Sequence, residues 1–128
     1  MLFSPMPGTE GIDPAVLAFV KCHVSSPLKW EALRTLDAHA GQWVLVEDLA
    51  REAHQRPLEL HQVMAELASE GLVELADQPE RYRLPTDEAS SVVLHRLIDA
   101  ARHNQELRAI IVANFQRARQ TGSQPAAA

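Results

Sequence analysis

Three side chains able to ligate a divalent metal recur at one-turn spacing toward the C-terminal end of the chain. His95, Asp99 and His103 stand at i, i+4 and i+8, and Glu106 falls on the same side of a helical wheel. Two neighbours in such a row can share one ion through imidazole and carboxylate donors. A rise of ~1.5 Å per residue spreads all three over about 12 Å, so one ion would need a second chain or a break in the helix. The alternative is a polar stripe on a solvated face. Cys22 and His23 form another pair of ligand types, but adjacent helical residues project about 100° apart and do not converge. The chain has one Cys, which excludes an internal disulfide and a multi-thiolate site within one copy. A lone thiol on a helix reads as a small buried apolar group. There is no glycine-rich phosphate loop, no nucleophile elbow and no His pair bracketing a Glu. No motif places an acid as a general acid or base, so the expectation is a non-enzymatic protein without a cofactor.

Charge and hydropathy narrow the partners. Of 128 residues 46% are hydrophobic, which suits one domain rather than two. Twelve Lys and Arg against seventeen Asp and Glu leave a net charge of −5, which argues against a polybasic nucleic-acid coat or a binder of anionic lipid. The longest apolar run, Ala15 to Val20, is too short to cross a bilayer. The first residues lack the basic and long apolar segments of a secretory signal, so a cytoplasmic location without a membrane partner is expected.

The elements that would position these groups are read from capping residues and periodicity. Residues 1–12, with Pro5, Pro7, Gly8 and Gly11, read as a flexible arm. Asp13–Pro14 and Ser26–Pro27 are cap and first-turn pairs that open two helices, the second running to Gly41. Trp43 to Val46 reads as a short strand and Glu47 to about Ala53 as a short helix. Pro57 opens a helix with Leu60, Val63, Met64 and Leu67 inward, closed by Gly71. Leu72–Leu75 and Arg81–Leu84 read as strands joined by the turn 77–80, with Tyr82 and Leu84 on one face and Arg81 and Arg83 on the other. Thr86 caps the next helix, with Asp87 and Glu88 in its first turn. The stripe of Val93, Leu94, Leu97, Ile98 and Ala101 points about 80° away from that of Leu107, Ile110, Ile111, Phe115 and Ala118. A break at Asn104, with Asn104 capping a final helix, accounts for this. Phe19, Trp30, Trp43 and Tyr82 read as core, and His39 as a dipole partner at a helix C-terminus. Residues 120–128 read as a disordered tail.

The run LAREAHQRP from Leu49 to Pro57, then Leu60, Met64, Leu67 and Glu70-Gly71-Leu72-Val73, resembles the helix-turn-helix of bacterial winged-helix transcription regulators. The resemblance covers about residues 26–84, with 72–84 as the wing. Helices at both chain ends are similar in layout to the multiple-antibiotic-resistance and phenolic-acid regulator types. Three positions depart from the pattern: His54 where a glycine is usual, Gln55 for an apolar residue, and Arg56 for a Ser or Thr cap.

The resemblance implies a mainly α fold with a small β-hairpin, a winged helix-turn-helix core and flanking N- and C-terminal helices. The domain would span 13–119, with helices 87–119 pairing two chains into a homodimer. The stripes of 93–101 and 107–118 offer more apolar face than a core of this size needs. Helix 58–70 would enter the major groove of double-stranded DNA. Gln62 suits adenine and Glu59 suits cytosine N4, with His61 beside them, while Arg51, Arg56, Arg81 and Arg83 would meet phosphates. Residues 57–80 nevertheless hold six acids and no Lys or Arg, and 81–128 hold four acids and seven Arg. That acidic block supports an alternative, a winged-helix module that holds a protein partner and has lost DNA binding.

Overall fold

Asp13 and Pro14 start the first helix as the capping signal predicts. The Asp13 carboxylate accepts from the Ala15 amide at 2.9 Å, and α1 runs Pro14–His23. The computed structural model describes residues 12–39, 41–85 and 88–122. Most of the expected arm, the capping residues Thr86 and Asp87, and the tail beyond 122 lie outside the described residues. Ile12, placed by sequence at the end of the arm, packs half-buried against the core.

Ser26 Oγ accepts from the Lys29 amide at 3.1 Å and opens α2, Pro27–Ala38. This helix stops three residues short of Gly41, whose φ of +77° turns the chain after the helix has ended. The strand expected over 43–46 shortens to β1, Val44–Leu45, because Val46 already begins α3, Val46–Ala53. Glu47 and Asp48 lie in the first turn of α3, where the helix dipole favours them. The next helix, α4, is Pro57–Ser69, and Gly71 comes just after it at φ +80°. A Cβ on Gly71 would meet nothing within 4 Å, so backbone conformation rather than space calls for glycine there.

Strands β2, Glu74–Ala76, and β3, Arg81–Arg83, are antiparallel, and β1 adds to the far side of β3, giving the order β1-β3-β2. Val44 and Leu75 both pair with Tyr82. The sequence places the first hairpin strand at 72–75; instead Leu72 and Val73 are buried below it, and pairing starts at Glu74. Helices α5, Ala89–His103, and α6, Gln105–Gly122, are separated at Asn104, whose side-chain oxygen accepts from the Leu107 amide at 3.0 Å. The expected break and cap are both present. Among the described residues the architecture is six helices and one small antiparallel sheet.

Helix α2 packs on α3 and α4, α3 packs on α4, and α1 packs on α5 and α6. Leu94, Leu97, Ile98, Ala101, Leu107 and Ile111 join the same core as Val20, Leu36 and Leu60. Most of both apolar stripes is therefore absorbed within the chain, while Val93, Ile110, Phe115 and Ala118 stay half-buried at its edge. Val92 and Val112 stay about half exposed as single side chains, which is ordinary on a surface. Phe19 and Tyr82 are buried and Trp30 is half-buried, as core residues should be. Trp43, also expected inside, is 39% exposed. Cys22, expected as a buried thiol, is exposed, because α1 turns Val16, Phe19 and Val20 inward instead.

One buried polar residue joins the two ends of the domain. Asn114 of α6, 5% exposed, donates through Nδ2 to the carbonyls of Val20 (2.9 Å) and Val24 (2.7 Å) at the end of α1. A helix terminus leaves carbonyls without partners, and a buried unpaired carbonyl is costly. Asn114→Leu removes the donor and should destabilise the fold by about 2 kcal/mol. The expected readout is a lower urea midpoint with an unchanged m value.

Candidate nucleic-acid interface

The turn between α3 and α4 carries His54, Gln55 and Arg56, the three departures from the helix-turn-helix pattern. His54 adopts φ 57°, ψ 44°, the left-handed conformation that a glycine would take without strain. The Gln55 amide donates to the Ala50 carbonyl at 2.9 Å and holds that turn closed. Arg56 occupies the cap position of α4 without a side-chain hydrogen bond, so Pro57 and the first-turn acid Glu59 favour the helix start.

Helix α4 turns Leu60, Val63, Met64 and Leu67 inward. Leu58, Glu59, His61, Gln62, Ala65, Glu66 and Ser69 are all exposed, as the periodicity predicts. His61 Nδ1 lies 2.7 Å from the Glu80 carboxylate in the hairpin turn, so the hairpin is tied beside the first half of α4. The candidate reading residues Glu59, His61 and Gln62 are all uncovered, with Glu59 and His61 on opposite flanks of Gln62, and one ring nitrogen of His61 is already engaged.

The hairpin arginines are organised by Trp43. The Arg83 guanidinium lies 4.4 Å and that of Arg81 5.3 Å from the Trp43 ring centroid, both in the range of cation–π attraction. This explains why Trp43 stays at the surface. Arg83 also pairs with Glu74 at 2.5 Å. Among the described residues Arg81 donates to carbonyls, those of Pro79 (3.0 Å) and Asp77 (3.5 Å), and has no ion pair. Tyr82, between these arginines in sequence, is buried and donates its hydroxyl to Glu80. Burial, then the hydrogen bond and charge of Glu80, then the charge of Asp77, push the phenol far above its ordinary range.

Most acids of the 57–80 block have partners in the fold. Lys29 of α2 reaches Glu66 at 3.3 Å and Glu70 at 3.2 Å, and His23 of α1 meets Glu70 at 2.9 Å. Glu74 and Glu80 are held by Arg83 and His61. Glu59 and Asp77 have no ion-pair partner among the described residues. On the basic side Arg51 pairs with Asp48 at 3.0 Å, whereas Arg56 has no ion pair among the described residues. Arg56 and Arg81 are therefore the two candidate phosphate contacts not already neutralised by a carboxylate.

The metal candidates are not brought together. His95 Nδ1 lies 3.0 Å from Asp37 on α2, which draws it away from Asp99 and His103, both exposed. Among the described residues no group of three or more His, Cys, Asp or Glu could hold an ion. His39, at the C-cap of α2, also pairs with Glu52 of α3 at 2.8 Å, a contact across two helices that sequence could not show. No helix of the described residues is long and apolar enough to cross a membrane. Comparison with protein-family models, with curated proteins and with solved structures returns no match for this chain.

His54→Gly should raise stability by about 0.5–1 kcal/mol, since it relieves a left-handed non-glycine residue; a denaturant midpoint that falls would contradict this. Tyr82 is the single tyrosine of the chain. Its folded pKa lies above the unfolded value of ~10, so its contribution to stability is complete below that pH and is lost as pH rises beyond it. Phenolate absorbance should therefore appear only with unfolding. Tyr82→Phe should remove a loss of about 1.4 kcal/mol per pH unit above pH ~10.

Proposed function

We propose that this chain is a winged-helix protein of transcription-regulator type, which sets the first half of α4 into the major groove of double-stranded DNA with the β2–β3 hairpin as its wing. The observation that carries the reading is the uncovered face of α4 with a hairpin tied beside it through His61 and Glu80. The left-handed His54 supports it, because the turn takes the shape a glycine has in the helix-turn-helix pattern. Gln62 is suited to adenine and Glu59 to cytosine N4, while His61 would act through its other ring nitrogen. Arg56 and Arg81 supply the phosphate contacts, with Arg51 and Arg83 available only by exchanging a carboxylate for a phosphate.

A second reading rests on one further observation. Leu58 is 71% exposed on the first turn of α4, next to the unpaired Glu59, and no Lys or Arg occurs from there until Arg81. An apolar and acidic surface of this kind suits a basic protein partner, with DNA binding lost.

Salt-dependent anisotropy on mixed-sequence duplexes separates the two. Each phosphate neutralised contributes about −0.9 to the slope of log K against log salt, so two free guanidiniums predict roughly −2 per chain. Arg81→Ala should lower affinity for every sequence and flatten that slope by about one unit. Absence of binding at about 50 mM salt, with strong binding gained only in Glu59→Lys, would reject the DNA reading and favour the protein partner.

A further inference from the structure

Helices α2, α5 and α6 enclose a half-open cavity of about 320 Å³ on a part of the molecule that shares no residue with α4 or the hairpin. Its volume falls at the lower end of the range of small-molecule pockets, ~300–1,000 Å³. Ile98 and Ile111 are buried in its wall, and the rings of Trp30 and Phe115 are half-buried beside them. Against this apolar lining stand three guanidiniums, those of Arg34, Arg102 and Arg108, and no acidic residue among the described lining residues. The apolar hollow is thus rimmed by positive charge.

The arginines differ in what already holds them. Arg34 pairs with Glu31 at 2.9 Å and lies 6.0 Å from the Trp30 ring centroid. Arg108 donates to the Ala101 carbonyl at 2.6 Å, a contact that closes the end of α5 and fixes the guanidinium at the cavity. Arg102 has no ion pair among the described residues. A fixed and an unpaired guanidinium lining one cavity suit a carboxylate, and the aromatic and branched lining suits a hydrocarbon.

We propose that this cavity binds a medium-chain carboxylate, with the hydrocarbon against Trp30, Ile98, Ile111 and Phe115 and the carboxylate on Arg102 and Arg108. The site requires neither DNA nor a second copy, so it stands or falls independently of the DNA reading.

The test is calorimetric titration of the full chain with decanoate, using decyltrimethylammonium as a probe of equal chain length and opposite charge. Decanoate should bind saturably at one site per chain, and the cationic probe should not. Arg102→Ala should weaken decanoate binding about tenfold, the loss expected for one charge-assisted hydrogen bond. Val112 lines the cavity and is 50% exposed, so Val112→Trp should block binding without lowering the melting temperature. Equal binding of the two probes, or decanoate affinity unchanged in both variants, would overturn the proposal. So would a lack of decanoate binding together with a particle of twice the chain mass, which would assign this face to a second copy.

Discussion

Strands of two and three residues have little to hold them together, and a hairpin of that length is marginal in water. Here the sheet depends on the burial of Tyr82 in its middle strand. The ring is 1% exposed and has Val44 and Leu75 as its cross-strand partners. A buried phenol needs an acceptor, and Glu80 supplies it from two residues away. The same carboxylate meets His61 on α4, and the Glu80 carbonyl accepts from the Val46 amide at the start of α3. One buried ring and one acid thus set the position of the hairpin against both helices. The uncovered surface of α4 has its shape because the hairpin is held there.

The electrostatics arise from the way helices are paired across the fold. Lys29, with a side chain only 12% exposed, draws in Glu66 of α4 and Glu70 at its C-cap, the latter 41 residues away. His23, His39, His61 and His95 each bring a carboxylate from a different element into contact. Most of the charges that look concentrated along the sequence therefore serve as ties between elements. Around α4 and the hairpin, the described charged groups without an ion pair are few: Arg56 and Glu59 at the start of α4, beside the exposed Leu58, and Asp77 and Arg81 in the hairpin.

The order of the elements was legible in the sequence because its signals are local. Asp13, Ser26 and Asn104 cap helices through bonds to amides two or three residues away. The inward faces of α4 and α5 come from simple periodicity. The misplaced details depend on distant residues. Trp43 looks like a core residue until Arg81 and Arg83 are brought beside it, and β1 stops at Leu45 because Val46 begins α3. His95 has the spacing of a metal ligand, but Asp37, 58 residues away, takes its Nδ1. The cavity between α2, α5 and α6 has no local signal at all, since its lining is divided between two distant parts of the chain.

The Asn114 contact carries a consequence for the order in which the molecule forms. Its two hydrogen bonds span 94 and 90 residues, nearly the full described length. Closing so long a loop is entropically unfavourable until the intervening chain has become compact. The local pairs α2–α3, α3–α4 and β2–β3 have no such requirement. The contact between α1 and α6 is therefore expected to form late, once the middle of the chain is compact. The Val24 carbonyl gains its Asn114 donor only once α6 is in place.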